Sequence, residues 1–252
     1  MATLTVTRVT HSCVLLDIAG TKILTDPWFS EKTGYLRGEP LAFTPQELPL
    51  LDAVLVSHGH YDHYDMQAFQ AYPDKSVPVL VKRGIAAAAR KVGFHTVIEL
   101  DPWETAEVGN LTITATPAEH GVPENTYVVQ SSDFTIFFGA DTLLIPQLRE
   151  VATRFPRIDL ALLAVNGLQI RPAFNRQVVM NAQEATELAE LLRPRVAVPM
   201  HYTFTAGALR DRLLLKYTGT AAQFAQEMAQ RIPTTAVHIL EPGEPLEITS
   251  LA

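Results

Sequence analysis

The stretch AVLVSHGHYDH (53–63) decides how the rest of the chain is read. Its opening, AVLVS (53–57), is a short apolar run without polar alternation, as expected of a strand buried on both faces. Directly after it come His58, His60, Asp62 and His63, three imidazoles and a carboxylate within six residues. Imidazole nitrogen suits zinc and other borderline divalent metals, and a carboxylate adds a harder ligand with compensating charge. Alternate residues of an extended turn point the same way. His58 and His60 are therefore expected to grip one metal, while Asp62 and His63 face a second.

Three distant residues stand in similar positions. His120 closes LTITATPAEH (111–120), Asp141 closes FTIFFGAD (134–141) and His201 closes RVAVPMH (195–201). Each is the first strongly ligating residue after an apolar run, and loops at strand ends on a rigid sheet are where sites are usually built. One such residue alone would be unremarkable. Together with the 58–63 cluster they complete two metal sites.

Working outward, CVLLDI (13–18) and KILTD (22–26) read as a hairpin turned at Gly20, and residues 27–49, lacking any period, read as a long loop. Helical patterns are expected at 65–71, 84–92, 206–216 and 220–231. Another helix is expected to start at Asn181, with Glu184 completing a capping box and Ala185, Leu188 and Leu192 forming its apolar face. Strand-like runs recur at 77–82, 96–100, 110–116, 126–131, 134–138, 158–165 and 195–200. AVHIL (236–240) and PLEITS (245–250) read as a last hairpin through Pro242-Gly243. Such a series predicts two sheets covered by helices, within one domain spanning 1–252.

Composition removes several classes. With 47% hydrophobic and 19% charged residues over 252 positions, the chain has ample material for a packed core and is not a disordered protein. No apolar run approaches the ~18 residues of a membrane-spanning helix. The start, MATLTVTRVTHS, lacks the basic and apolar regions of a secretory signal, and the single cysteine, Cys13, has no internal disulfide partner. A reducing cytoplasm is the expected location. The net charge of −7 and the scattered basic residues weigh against nucleic-acid binding. Cys13 is expected to be a small core residue, and His95 and His238 are expected to be bystanders.

The order His58-x-His60-x-Asp62-His63, then His120, Asp141 and His201, resembles the metallo-β-lactamase superfamily across essentially the whole chain. The resemblance implies an αβ/βα sandwich, an α/β fold with its metals at one edge between two sheets. It implies that His58, His60 and His120 hold a first metal and that Asp62, His63 and His201 hold a second, with Asp141 bridging both. THS (10–12), TDPWF (25–29), GADT (139–142), VNG (165–167), MNAQEA (180–185) and PMHY (199–202) are similar to the ascorbate-6-phosphate lactonase-like branch. In that branch, residues matching His11 and Asp26 lie beside the metal centre, where a carboxylate orients a ligand imidazole.

The expected cofactor is two divalent ions per chain, zinc foremost, with manganese or iron as alternatives. Such a pair lowers the pKa of a bound water toward ~7 and polarises the oxygen that gains charge. The expected reaction is hydrolysis of an ester, lactone or phosphoester of a small anionic substrate, with Asp62 accepting the nucleophile's hydrogen bond or proton. A phosphodiesterase, including a phospholipase D-like one, and a non-catalytic metal-binding protein are the alternatives. His60 weighs against the di-iron oxygen-reducing relatives, which carry an acidic residue at this place. The 59 residues between Asp141 and His201 are too few for an inserted nuclease domain. Trp28, Phe29, Tyr35, Leu36 and Phe43 are candidates for an apolar lip, and Arg171, Phe174 and Arg176 for anion recognition. Homo-oligomerisation is left open, because similar proteins often self-associate.

Overall fold

Apolar runs that lack polar alternation must be covered on both faces, and the chain solves this with two sheets packed face to face. The computed structural model describes residues 1–251. The first sheet contains β1 (Thr3–Thr10), β2 (Cys13–Ile18), β3 (Thr21–Thr25), β4 (Ala53–Val56), β5 (Val79–Lys82) and β6 (Val97–Leu100). The second contains β7 (Thr105–Val108), β8 (Leu111–Thr116), β9 (Thr126–Gln130), β10 (Thr135–Phe138), β11 (Leu160–Ala164), β14 (Val196–Met200) and β16 (Ala236–Val237). The last strand, β17 (Pro245–Thr249), returns to the first sheet beside β1.

The sheets share one plan. In the first, β17-β1-β2-β3 are antiparallel and β3-β4-β5-β6 parallel. In the second, β7-β8-β9-β10 are antiparallel and β10-β11-β14-β16 parallel. Side chains alternate between the layers, as the strand period of two requires. Ala53, Leu55, Ile136, Phe138, Leu160 and Leu162 fill the space between the sheets. Val54 and Val56 face outward under α1 (Met66–Phe69) and α2 (Ala87–Lys91). Phe137, Ala161 and Leu163 face outward under α3 (Leu148–Arg154), α4 (Ala182–Leu192) and α6 (Ala221–Arg231). This is the αβ/βα sandwich expected.

Helix α4 begins as its sequence requires. Asn181 accepts from the Glu184 backbone N–H at 3.0 Å, and Glu184 reaches back to the Asn181 N–H at 2.9 Å. The Gly20 hairpin forms, and Cys13 is buried among the outward-facing residues of the first sheet. Three expectations change. AVHIL and PLEITS do not form a hairpin: β16 runs parallel to β14 while β17 pairs with β1 in the other sheet. The Pro242-Gly243 turn thus crosses between sheets, which complete one edge of each, and Gly243 donates to the Arg8 carbonyl at 2.8 Å. The stretch 206–216 divides into a short helix, α5 (Ala208–Leu214), and strand β15 (Leu215–Lys216). β15 joins β12 (Gln169–Ile170) and β13 (Arg176–Gln177) in a small third sheet, where no period was visible in the sequence. Helix α3 and strand β7 were also not foreseen.

The long 27–49 loop forms no named element and is pinned by a buried ion pair. The fully buried Arg8 guanidinium donates to both carboxylate oxygens of Glu39 at 2.6 Å and lies 4.7 Å from the Tyr202 ring centroid. Glu39 also accepts the His11 backbone N–H at 2.6 Å. Removing one partner of such a pair strands a buried charge. Glu39→Ala is therefore expected to lower stability by about 3–5 kcal/mol in urea unfolding, whereas a loss below about 1 kcal/mol would show the pair to be solvated.

Candidate metal centre

The predicted residues converge where both sheets end. His58, His60, Asp62 and His63 follow β4, where His60 accepts backbone hydrogen bonds from His63 and Tyr64 at 3.2 and 2.9 Å. His11 follows β1, Asp26 follows β3, Asp141 lies just beyond β10 and His201 follows β14. His11, Asp26, Ala140 and His201 all have left-handed backbone, with φ of 48°, 32°, 44° and 56°. For such residues this conformation costs on the order of 1–3 kcal/mol and persists only where the surroundings enforce it. Four strands thus end in a strained turn around one point.

Besides Asp26 with His58 and His63, two groups of ligand atoms result. His58, His60 and His120 form one; His11, Asp62, His63 and His201 form the other, with the atoms of each group within 4.8 Å of one another. In the first, His60 Nδ1 lies 3.0 Å from His58 Nε2 and 3.1 Å from His120 Nε2. His120 Nδ1 faces the Val178 carbonyl at 2.6 Å, so it carries the proton and leaves Nε2 a lone pair. His58 Nδ1 sits 2.9 Å from Ser57 Oγ and 3.1 Å from Glu124 Oε1, which orients Nε2 in the same way. Three imidazole nitrogens at this spacing cannot all be satisfied by hydrogen bonds to one another. A divalent cation with bonds of about 2.0–2.1 Å to nitrogen satisfies all three.

The second group is built around carboxylates. Asp26 accepts from the Ser57 N–H and Oγ at 2.7 Å each and from His63 Nδ1 at 2.7 Å. That fixes the His63 proton on Nδ1 and turns Nε2 toward Asp141 Oδ2, 3.2 Å away. The same oxygen lies 2.9 Å from His201 Nε2 and 4.0 Å from His120 Nε2, so Asp141 stands between the two groups. Asp141 Oδ1, His63 Nε2, His201 Nδ1 and both His11 ring nitrogens are buried without a hydrogen-bond partner. Orphaned buried polar atoms of this density call for cations. The donor set fits divalent metal.

Asp26 lies behind His63, in contact with its Nδ1 at 2.7 Å. His11 is placed differently: its Nε2 is 3.6 Å from Asp62 Oδ2, among the candidate ligands rather than behind them. His95 and His238 lie outside both groups.

The local field agrees with the geometry. Burial, with neighbouring histidines, lowers the pKa of His58 to about 3 and of His60 to about 4, so both offer lone pairs at neutral pH. Burial also lowers His11 to about 3. Burial opposes charge on His63 too, but Asp141, Asp62 and Asp26 outweigh it and raise its pKa well above the usual range. Burial would raise Asp141 and Asp62, yet the facing histidines hold both carboxyls below their ordinary range. The carboxylates of the second group thus favour positive charge at His63.

Glu124 was missed from the sequence. It is buried, accepts the Asp141 backbone N–H at 2.9 Å and touches His58; burial pushes its pKa up to about 8. It lies in the Pro- and Gly-containing segment 117–124, where no periodicity or cluster singles it out.

A cavity of about 410 Å³ opens over His60, Asp62, His120, Asp141 and His201. Its walls are apolar: Leu168, Ile170, Val178, Phe204, Leu214 and Leu215, with Tyr35 and Arg210 the polar exceptions among larger side chains. Of the expected lip, Tyr35 lines it. Trp28 is buried edge-on to His11 at 5.0 Å, Phe29 stacks on Phe69 at 5.7 Å, Leu36 bridges to Thr205, and Phe43 packs under the first sheet. Arg171, Phe174 and Arg176 do not line the cavity; Arg210 supplies its cation instead.

Buried histidines and carboxylates gathered at one sheet edge of this fold are the makings of a metal-dependent enzyme. Residues 21–202 match the beta-lactamase superfamily domain, and the chain belongs to that family. A UPF0173 metal-dependent hydrolase of Deinococcus radiodurans is 28% identical over 250 residues, 94% of this chain and 96% of the relative. A metallo hydrolase of the archaeon Ignicoccus hospitalis shares the fold with a TM-score of 0.74 at 22% identity, over 98% of this chain and 99% of its own. A diiron beta-hydroxylase of Streptomyces venezuelae shares it with a TM-score of 0.75 at 19% identity, over 98% of this chain and 54% of its own.

Because Asp26 sets the tautomer of His63, Asp26→Asn is expected to weaken zinc binding by about 10–100-fold in chelator competition. Unchanged affinity would show that the Asp26–His63 contact does no orienting.

Proposed function

We propose that the chain is a dinuclear metal-dependent hydrolase of esters or lactones that carry an anionic group. His58, His60 and His120 would hold one ion; Asp62, His63 and His201 would hold the second, with His11 beside them. The observation that carries this reading is the position of Asp141: Oδ2 within 4.0 Å of a nitrogen from each group, Oδ1 unpartnered. Zinc suits the three-imidazole group best. Ions so bound supply an acidified water and Lewis acidity toward the substrate oxygen.

The chain's own residues do the rest. Asp62 borders the cavity and is held ionised by His63, His11 and His201 against the effect of burial, so its carboxylate is fit to accept a hydrogen bond from the nucleophile and orient it. The apolar walls exclude water from the scissile group. Arg210 is placed to pair with a carboxylate or phosphate of the substrate. His60, where di-iron oxygen-reducing relatives carry an acid, supports hydrolysis over oxygen chemistry. One cluster of candidate ligands drawn from residues 11 to 201 supports a single domain, and the lone buried cysteine suits a reducing cytoplasm. A phosphodiester substrate is the second reading, favoured by the apolar lining of the cavity together with its arginine.

Elemental analysis of protein purified without chelator is expected to find about two divalent ions per chain; none, even after addition, would remove the dinuclear reading. Across a metal-reconstituted panel of lactones, esters and phosphodiesters, Asp62→Asn is expected to lower kcat by about 10²–10⁴-fold with its structure retained. Wild-type turnover in that variant would remove the role of Asp62.

A further inference from the structure

The small third sheet and α5 form a flap whose inner side, through Ile170, Leu214 and Leu215, walls the cavity. Its outer side gathers exposed apolar side chains in one place. Phe174 is 99% exposed, Leu209 71% and Leu213 59%. Leu209 and Leu213 are one helical turn apart on α5, and α5 packs against the 3-10 turn Arg171–Ala173 that presents Phe174. Phe174 and Asn175 both have left-handed backbone, with φ of 55° and 56°. A bulky residue held in that strained conformation only to stand in water gains nothing from it.

Charge completes the pattern. The two segments of the flap, 169–177 and 208–216, carry Arg171, Arg176, Arg210, Arg212 and Lys216 against Asp211 alone. That is a local +4 in a chain whose total is −7. All five cations are exposed, and none enters an ion pair among the described residues. Asp211 is turned inward, accepting from the Ala206 N–H at 2.8 Å and the Tyr217 hydroxyl at 2.9 Å.

We propose that this flap docks on an anionic lipid surface, with Phe174, Leu209 and Leu213 entering the acyl boundary and Arg171, Arg176, Arg212 and Lys216 meeting the headgroups, while Arg210 stays with the cavity. Exposed apolar side chains ringed by cations fit that interface, where apolar burial and headgroup attraction add. A phosphate backbone of nucleic acid offers the leucines nothing. A twofold self-contact through the flap would set one +4 surface against another. Docking brings the cavity mouth to the lipid, so an amphiphile reaches the metal centre without crossing water; this last step rests on the hydrolase reading, whereas docking does not.

Co-sedimentation of the intact chain with phosphatidylcholine vesicles, with and without phosphatidylglycerol, separates the two. Retention is expected only on the anionic vesicles and is expected to fall with added salt. Arg176→Ala, Arg212→Ala and Lys216→Ala are expected to weaken it by roughly fivefold each. Phe174→Ser with Leu213→Ser is expected to abolish it while leaving turnover of a water-soluble ester unchanged. No retention of the wild type, or equal retention of the serine variant, overturns docking and leaves the hydrolase reading intact. So does light scattering that shows the serine variant dissociating an oligomer that does not bind vesicles, which would assign the flap to self-association.

Discussion

Everything at the sheet edge answers to one constraint: ligand atoms that repel or desolvate one another are held together away from water. His120 Nε2, His58 Nε2 and His60 Nδ1 turn lone pairs toward a common point, and Asp141 brings a carboxylate between them and His63. Such a cluster is unfavourable by itself, and positive charge is what relieves it. The second layer of contacts shows the same purpose. Asp26 behind His63, Glu124 behind His58 and the Val178 carbonyl behind His120 each accept from the outer ring N–H, which keeps the proton off the inward nitrogen.

The sandwich exists to bear that load. Two sheets on one plan, packed across a core of aliphatic and aromatic side chains, fix the ends of β1, β3, β4, β10 and β14 relative to each other. Interiors packed to crystal density deform little, so strained turns at His11, Asp26, Ala140 and His201 stay strained. The Arg8–Glu39 pair extends this to the long loop and ties Tyr202, the neighbour of His201, to the His11 backbone. Stability and site geometry thus share the same residues.

The flap contrasts with this rigid floor. It is made of two-residue strands and one short helix, and it carries apolar residues on both sides. One side shapes the cavity over the metal centre. The other faces outward with a concentration of positive charge found in a chain that is otherwise acidic. Chemistry and access are in this way assigned to different parts of the molecule.

The strands AVLVS, FTIFF and RVAVPM and the residues closing them were legible from the chain alone, because burial on both faces and ligand chemistry are local properties of side chains. The capped start of α4 was legible for the same reason, and so was the closeness of His58 to His60 and of Asp62 to His63. Glu124, Arg210 and the place of His11 were not. Glu124 has meaning only because its loop passes behind His58, and Arg210 only because α5 folds over the cavity. The terminal strands read as a hairpin because adjacency in sequence favours local pairing, yet β16 and β17 each complete a different sheet. By itself the sequence determined which atoms can bind metal and which runs must be buried. Only the tertiary structure decided which of them share a centre, since that depends on where strands far apart along the chain come to an end.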